Sequence, residues 1–328
     1  MVQAARNLGA SRGIVARQLL RAADLCLRHA EPVLRQCIAN GTILPIVNAV
    51  HHRLPLVGKI AFADYYRETF RDWPIGRERS WSTWFLGHRV IVPLRPATVA
   101  LDWRIATSLL ASDWPVIRTY EAFLRSPQSP KLFVDIGANF GTHSLLMAKA
   151  GLDVVSFEPN PGCRAYSQAL YEKNDVAIRT LPVALGARQG TAELVFPKGE
   201  SWLGSIMPQV IGWNRDRGEC ELVQTEVHRL DDVPLGPGAM LIKIDVEGGE
   251  VDVLKGARRT LRERRPAVIF ESTDTLAELR DYFTAMDYAI YELPFDPRNP
   301  GEPLRNVESA RGPNYIAAPT PAPPACPD

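Results

Sequence analysis

Short apolar runs alternate with amphipathic segments from about residue 130 to residue 318. A short continuous apolar run indicates a buried strand, whereas apolar residues spaced by three and four indicate a helix. The predicted strands are KLFVDIG, DVVSFEP, AIRTLPVAL, MLIKIDVEG, PAVIFES, YAIYEL and NYIAA. The predicted helices between them are THSLLMAKAG, GCRAYSQALYEKN, VDVLKGARRTLRER and TLAELRDYFTAM. This alternation predicts an α/β fold, a mostly parallel sheet with helices on both faces.

Two parts of the chain depart from this alternation. Residues 190–233 alternate only weakly, which predicts a hairpin and loop. Residues 1–125 read as a mainly helical extension, in which SWSTWFLGHRVIVPL predicts a strand or short hairpin around Gly87. The segment SPQSP at 126–130 ends the preceding helix because proline cannot continue one. We therefore predict an accessory region at 1–125, an α/β domain at 126–318 and a disordered proline-rich tail at 319–328.

Charge and cysteine content narrow the class of protein. A net charge of +1 over 328 residues argues against a dedicated nucleic-acid binder. Five scattered cysteines without C-x-x-C spacing favour a reducing compartment. The sequence has no long apolar span and no apolar signal core at its start. These features together predict a cytoplasmic protein.

The basic N-terminal segment has two interpretations. Residues 1–60 carry eight Lys and Arg against two acids, and Arg17, Arg21, Arg28 and Arg35 fall at helical spacing. A basic amphipathic helix binds membrane surfaces or partners, but most such stripes are solvated helix faces. Pro32 interrupts the helix, so we favour the solvated face over membrane contact.

Candidate chemistry begins at FVDIGANFGTHS, residues 133–144, where a strand runs into a glycine turn and then a helix. Gly137 and Gly141 suit close backbone approach to a ligand, and the helix N-terminus suits an anionic group. The three-glycine order of a dinucleotide site is missing, and Asn139 stands where its middle glycine would be. Asp135 would repel a pyrophosphate but attract an ammonium. A nucleoside that carries an amino group and a carboxylate, as S-adenosylmethionine does, fits this turn better than NAD.

Two more acidic positions follow at strand ends. Glu158 ends the second strand, where an acid accepts hydrogen bonds from ribose hydroxyls in NAD and S-adenosylmethionine sites alike. KIDVEGGE places Asp245, Glu247 and Glu250 where the fourth strand leaves the sheet. Asp245 and Glu247 share one strand face if the strand continues that far. Glu250 is typical of an acid that opens a helix.

These motifs together resemble the FkbM family of S-adenosylmethionine-dependent methyltransferases, from about Lys131 to Ala318. The resemblance implies a class I methyltransferase fold, a Rossmann-like sheet of seven strands whose seventh is antiparallel. It also implies methylation of a hydroxyl on a small molecule, a polyketide or a sugar, and it leaves the acceptor open. The matching segments are FVDIGANFGTHS, FEPNP, VALG, RLDD, KIDVEGGE, VLKGA and RPAVIFE. The donor-binding residues expected from these motifs are Asp135, Gly137, Ala138, Asn139, Gly141, Glu158, Asn160, Ala184 and Asp245.

A hydroxyl acceptor benefits from a general base. We rank Asp245 first for this role, Glu247 second and His143, which opens the first helix, third. Asp245, Glu247 and Glu271 are hard oxygen donors that would suit a divalent metal if they converged, but acids at strand ends are more often hydrogen-bonded, so we predict no metal. The alternatives are a catalytically silent binding or scaffold protein on the same fold, and a nicotinamide oxidoreductase, which would need the missing three-glycine motif.

Overall fold

The computed structural model describes residues 44–69, 75–127, 129–200, 203–272, 275–305, 310 and 312–320. They fall into two compact units, divided between Trp114 and Pro115. The predicted basic N-terminal helix and nearly all of the proline-rich tail lie outside the described residues. Within the described ranges, no helix is both long and apolar enough to cross a membrane.

The described residues of the first unit form three α-helices and a two-stranded hairpin. Its elements are α1 (Leu44–Arg53), α2 (Leu56–Thr69), β1 (Arg79–Phe85), β2 (His88–Leu94), a 3-10 turn (Pro96–Thr98) and α3 (Val99–Ser108). The hairpin predicted around Gly87 is confirmed, with Phe85 paired to His88 across a two-residue turn. Both turn residues, Leu86 and Gly87, have positive φ, as a tight turn between twisted strands requires.

An aromatic cluster forms the centre of this first unit. The fully buried Trp81 lies edge-on to His51 at 5.0 Å and to Trp103 at 5.5 Å between ring centroids. His51 is itself buried, and in the described part of the chain neither ring nitrogen has a hydrogen-bond partner. Burial, with a smaller contribution from Lys59 and His52, lowers the pKa of His51 to about 4. His51 is therefore neutral in the folded protein at neutral pH.

The second unit contains the α/β domain. Its first helix, α4 (Trp114–Leu124), starts at the boundary residue Trp114, and the remaining elements follow in chain order. They are β3 (Leu132–Ile136), α5 (Thr142–Lys149), β4 (Asp153–Phe157), α6 (Pro161–Glu172), β5 (Arg179–Leu181), β6 (Ala184–Leu185), β7 (Gly190–Pro197), α7 (Pro208–Asp216), β8 (Cys220–His228), a 3-10 turn (Leu230–Asp232), β9 (Met240–Ile244), α8 (Glu250–Gly256), α9 (Arg258–Arg264), β10 (Ala267–Glu271), α10 (Leu276–Thr284), β11 (Tyr288–Glu292) and β12 (Asn314–Pro319).

Seven strands form the main sheet in the order β11-β12-β10-β9-β3-β4-β5. β12 runs antiparallel to β10 and β11, and the other pairs are parallel, so the expected seven-stranded, mostly parallel sheet is confirmed. The chain moves outward from β3 in both directions, to β4 and β5 on one side and to β9 and β10 on the other. The switch point, where ligands bind in open α/β sheets, therefore lies between β3 and β9.

The central strands are buried because helices cover both faces of the sheet. Every residue of β3 and of β9 is buried, which agrees with their continuous apolar runs. α4 also packs within this unit: Tyr120 meets Phe133 edge-on at 5.5 Å, and Phe123 stacks on Phe295 at 5.9 Å between centroids. The sequence interpretation had grouped this helix with the accessory region.

A smaller sheet differs from expectation. AIRTLPVAL was predicted as one strand, but it forms β5 in the main sheet and β6 in a three-stranded sheet of order β6-β8-β7. Pro182 stands between them and has no N–H to donate to a ladder. The hairpin predicted for residues 190–233 is confirmed as the antiparallel pair β7 and β8. The helix α7 between those strands was not predicted.

The buried, neutral His51 makes the stability of the first unit depend on pH. Because its folded pKa lies below the unfolded value of 6.5, the unfolded chain binds more protons between pH 6.5 and about 4. The free energy of unfolding should fall with acidification across that window, by about 1 kcal/mol per pH unit. His51→Phe should flatten this slope, as measured by urea unfolding at a series of pH values. His88→Gln, at an exposed position in the hairpin, is the control, and equal slopes in all three proteins would contradict the assignment.

Candidate active site

A row of polar side chains crosses the main sheet near the carboxyl ends of its strands, one residue before β3, β4 and β9 end. Asp135 on β3 pairs in register with Ser156 on β4 and with Lys243 on β9, and Ser156 pairs with Thr180 on β5. Register partners in parallel strands point to the same face, so these side chains form one polar row. Asp135 and Ser156 are fully buried, and Lys243 is 6% exposed. Buried polar groups in a sheet core are costly, which marks this edge as a candidate functional site.

The Asp135 carboxylate is held at one oxygen. Its Oδ2 accepts a hydrogen bond from Ser144 Oγ at 2.6 Å, in the first turn of α5. Its Oδ1 is buried and has no hydrogen-bond partner among the described residues. A buried carboxylate oxygen in this state has capacity for one further donor.

Gly137 is the point where the β3 turn passes under the end of β9. It has φ of 78°, and a Cβ there would lie 2.8 Å from the Asp245 carbonyl carbon and closer still to the carbonyl oxygen. Asp245 N donates to Ile136 O at 3.0 Å, which fixes the two chains at this separation. The position therefore requires glycine for packing inside the protein, independently of any ligand.

Glu158 lies in the turn that follows β4, called here the second turn, and its side chain accepts two backbone hydrogen bonds. Its Oε2 accepts from Asn139 N and its Oε1 from Asn160 N, both at 2.7 Å. Asn139 has left-handed backbone geometry with φ of 51°, which turns its N–H toward the carboxylate. Glu158 is 6% exposed, and burial raises its pKa to about 7 although both backbone hydrogen bonds act in the opposite direction.

The remaining expected donor-site residues divide into two groups. Ala138 is buried beside Asn139, and Asn160 caps α6 by accepting from Gly162 N at 2.8 Å, so both lie at the turns just described. Gly141 begins α5 with φ of 73°. Ala184 instead lies in β6 of the small sheet, paired with Val227. The structure therefore clusters the residues of the first two turns and places Ala184 in a different sheet.

Asp245 lies at the end of β9 and forms an ion pair. Lys243 Nζ donates to its Oδ2 at 2.8 Å, and the Asp245 side chain is 34% exposed. β9 ends at Ile244, and Glu247 has left-handed backbone geometry with φ of 53°. The strand does not continue as far as Glu247, so the condition under which Asp245 and Glu247 would share one strand face is not met.

Both acids nevertheless line one cleft of about 450 Å³. Burial, reinforced by the carboxylates of Asp245, Glu271 and Glu250, raises the pKa of Glu247 to about 7. Glu250 opens α8, as expected for a helix-initiating acid, and its Oε1 accepts from Gly248 N at 3.1 Å. The cleft is lined by Gln209, Val210, Trp213, Asp245, Glu247, Gly248, Glu250, Glu271, Ser272 and Thr275.

The α7 insertion forms one wall of this cleft and is tied to the Glu247 turn. Ser205 Oγ donates to Glu247 O at 2.8 Å and accepts from Met207 N at 3.1 Å, just before α7 begins. Val210 lies so close to Gly248 that a Cβ there would be 3.1 Å from its side chain. The insertion thus supports the strained backbone at Glu247 from outside the sheet.

His143 contacts a buried tyrosine of α4. Its Nδ1 lies 3.1 Å from the hydroxyl of the buried Tyr120, and the two rings meet edge-on at 5.7 Å. The contact restrains the imidazole against α4. Whether His143 serves as a base stays a prediction.

Sequence reasoning missed three residues that shape the site, namely Lys243, Ser144 and Ser205. Lys243 was visible in KIDVEGGE, but its ion pair with Asp245 depends on a side-chain conformation. Ser205 belongs to the insertion, whose helix gave little periodic signal. Among the residues that the structure describes, no group of three or more His, Cys, Asp or Glu is arranged to hold a metal ion.

Comparisons with known proteins agree with the motifs. Residues 135–290 match the family model described as the methyltransferase FkbM domain, which confirms the resemblance. The hexuronic acid methyltransferase AglP of Haloferax volcanii is 29% identical over 171 residues, which cover 49% of this chain and 62% of that protein. The chain thus spans less than two thirds of that relative's length.

Solved structures give weaker matches. The methyltransferase FkbM of Methylobacillus flagellatus KT aligns with 67% of this chain and 54% of its own, at 19% identity and a TM-score of 0.39. The precorrin-6y C5,15-methyltransferase of Geobacter metallireducens GS-15 aligns with 54% of this chain and 72% of its own, at 16% identity and a TM-score of 0.33.

The close contact between Gly137 and the Asp245 carbonyl predicts that one added methyl group at position 137 strongly destabilises the fold. Gly137→Ala places a Cβ against the Asp245 carbonyl and forces positive φ on alanine, so the free energy of unfolding should fall by about 3 kcal/mol or more. Gly190→Ala is the control, because a Cβ there meets no atom within 4 Å. Chemical unfolding of both variants measures the difference. If the free energy of unfolding fell no further in Gly137→Ala than in Gly190→Ala, the turns after β3 and β9 would separate easily.

Proposed function

We propose that the FkbM methyltransferase domain at 135–290 transfers a methyl group from S-adenosylmethionine to a hydroxyl of a sugar, a polyketide or another small molecule. The observation that supports this most is the pair of buried carboxylates, Asp135 and Glu158, at the ends of adjacent strands, beside the cleft that holds Asp245 and Glu247. The buried pair, Asp135 and Glu158, suits a donor that carries an ammonium and a ribose. The cleft pair, Asp245 and Glu247, suits the acceptor hydroxyl. The resemblance to a hexuronic acid methyltransferase supports a sugar hydroxyl.

The residues of the two turns fit the donor. Asp135 Oδ1, which has no hydrogen-bond partner among the described residues, can accept from an ammonium or from a water bound to it. Each Glu158 oxygen accepts one backbone N–H and keeps lone pairs for a ribose hydroxyl. Asn139 N and Asn160 N fix the carboxylate in place before the donor arrives. We therefore assign donor binding to Asp135, Glu158 and the backbone of Ala138 and Asn139.

In this proposal the chain orients the acceptor and removes its proton. The bound donor supplies a methyl group already activated by a sulfonium. A carboxylate of the cleft would accept the proton of the acceptor hydroxyl as that oxygen takes the methyl group, which the sulfonium would supply with the thioether as leaving group. Holding the reacting atoms in line supplies up to about 7–11 kcal/mol of the barrier. The base releases its proton to solvent through the open cleft.

Glu247 suits the base role better than Asp245, which the sequence ranked first. A base works best when its pKa lies near the working pH, and the pKa of Glu247 is about 7. The Asp245 carboxylate is already occupied by its ion pair with Lys243 at 2.8 Å. We therefore propose Glu247 as the base, Asp245 as the residue that orients Lys243 and the turn, and His143 as the third candidate.

A catalytically silent scaffold is the competing interpretation. It predicts either that the chain binds the donor without transferring its methyl group, or that the chain does not bind the donor. Calorimetry with S-adenosylmethionine and with NAD, followed by transfer of labelled methyl to extracts of small molecules and glycans, separates the two functions. Donor binding that changes nothing in the extract would favour the scaffold.

Glu158 sets the first prediction of this proposal. Glu158→Ala removes hydrogen bonds to a charged acceptor, each contributing about 1.5 to 3 kcal/mol, so donor affinity should fall ten-fold or more. Because the donor binds the ionised carboxylate, wild-type affinity should rise with pH through about 7 and be roughly ten-fold weaker one unit below it. Calorimetry at several pH values tests both statements. Glu172→Ala, at an exposed position on α6, is the control, and unchanged affinity in a folded Glu158→Ala protein would remove Glu158 from the site.

The second prediction of this proposal concerns Glu247. At saturating donor, kcat should rise with pH through about 7 as Glu247 loses its proton, and Glu247→Gln should lower kcat by about 10²- to 10⁴-fold with little change in donor affinity. Asp245→Asn removes the ion pair with Lys243 and should lower thermal stability together with kcat. If the Asp245→Asn enzyme were stable and lost more kcat than the Glu247→Gln enzyme, Asp245 rather than Glu247 would be the base.

A further inference from the structure

An exposed tryptophan of α7 forms part of the wall of the acceptor cleft. Trp213 is 54% exposed, whereas Trp81 and Trp103 of the first unit are buried. Trp213 lines the same cleft as Glu247, the proposed base. Ligand sites combine aromatic surface with a few polar groups that fix the orientation of the ligand. The indole and the carboxylate of Glu247 supply these two components within one cleft.

The Arg217 guanidinium restrains the indole from outside the cleft. Its central carbon lies 4.8 Å from the Trp213 ring centroid, and the guanidinium pairs with Glu200 at 3.3 Å. Arg217 is not among the described residues that line the cleft, which indicates that it covers a different surface of the indole from the one in the cleft. The cation–π contact therefore orients the ring and leaves its cleft surface open to a ligand.

The segment around α7 holds the indole at a fixed position relative to the Glu247 turn. Asn214, the next residue in the helix, is fully buried, and its Nδ2 donates to Leu203 O at 2.8 Å and to Val195 O at 3.3 Å. Ser205 forms a β-bridge with Val195 and donates its hydroxyl to Glu247 O at 2.8 Å. One continuous set of hydrogen bonds thus connects the helix that carries the indole to the turn that carries the base. A site supported in this way is organised before its ligand binds.

The side of α7 that faces the cleft also sets the spacing between the indole and the base. Gln209 and Val210 precede Trp213 by four and three residues, so all three lie on this side of the helix. Val210 is the residue that contacts Gly248, next to Glu247. The indole lies one helical turn beyond this contact, about 4.5 Å along the axis. A single six-membered ring is about that wide, so one ring on the indole can reach the Glu247 turn.

We propose that Trp213 is a specificity-determining residue: its indole stacks on the C–H face of a pyranose ring and so presents one hydroxyl of that sugar to Glu247. The inference rests on the proposed function and deepens it, because it narrows the acceptor from any small molecule to a cyclic sugar. A pyranose has an apolar C–H face for the indole, and hydroxyls at its rim for the Gln209 amide and for the carboxylates of the cleft. An open-chain polyol has the hydroxyls without the face, and a planar aromatic alcohol has a face with few hydroxyls.

Three variants separate stacking from other roles of the indole. Trp213→Phe keeps an aromatic face, whereas Trp213→Leu replaces it with an aliphatic side chain. Trp84→Leu is the matched control, because Trp84 is 47% exposed on β1 and does not line the cleft. Thermal unfolding of each variant reports on the fold, and calorimetry with S-adenosylmethionine reports on donor binding.

The test measures binding of four probes to the full chain by NMR titration with S-adenosylhomocysteine present. The probes are methyl glucoside, methyl glucuronide, the open-chain polyol glucitol and the planar alcohol catechol. We expect both pyranosides to bind, and glucitol and catechol to bind about five-fold more weakly. Trp213→Leu should weaken both pyranosides by about five-fold, Trp213→Phe by no more than about two-fold, and Trp84→Leu should leave them unchanged. The ring current of the indole should shift the sugar C–H protons upfield in the wild type and not in Trp213→Leu.

Several outcomes would overturn the proposal. Equal pyranoside affinities in Trp213→Leu and Trp213→Phe would show that the indole does not act by stacking. Glucitol or catechol that binds as tightly as the pyranosides would show that the cleft does not select a sugar ring. A chain that binds the donor but neither pyranoside fails in this inference alone, whereas a chain that binds no donor contradicts the proposed function itself.

Discussion

The site depends on the close crossing of two chain segments at the switch point of the sheet. The turn after β3 passes under the Asp245 carbonyl at Gly137, where no side chain fits. On the other side of β3, Gly137 N and Ala138 N donate to Phe157 O at 3.0 Å. Three strand ends are thereby fixed to one another by backbone contacts. The carboxylates of Asp135, Glu158 and Asp245 take their positions from this arrangement rather than from contacts among themselves.

The polar row beneath the crossing shows what this arrangement costs. Asp135, Ser156 and Lys243 occupy positions that an ordinary parallel sheet fills with Val, Ile or Leu. Each is compensated locally: Ser144 donates to Asp135, Ser156 shares a hydrogen bond with Thr180 at 2.8 Å, and Lys243 pairs with Asp245. The exception is Asp135 Oδ1, which has no hydrogen-bond partner in the part of the chain that the structure describes.

The sequence was sufficient for the features that are encoded locally. Apolar runs, the glycine turn and the helix-opening acid of α8 each follow from a few adjacent residues, so the seven-stranded sheet and the turn positions could be predicted. Features that depend on register or on a single backbone torsion could not. The polar row required knowing that Asp135 faces Ser156 and Lys243, and the separation of Asp245 from Glu247 required the left-handed torsion at Glu247. The helix α7 was missed because its nine residues give too little periodicity to detect.

The way in which α7 is attached determines which side chains the Glu247 turn depends on. The insertion reaches this turn through the side chain of Ser205, which bonds to the backbone oxygen of Glu247, and through the contact of Val210 with Gly248. A backbone oxygen accepts a hydrogen bond whatever side chain its residue carries. The Ser205 hydrogen bond therefore tolerates a change of side chain at position 247, whereas the Val210 contact requires a small residue at position 248.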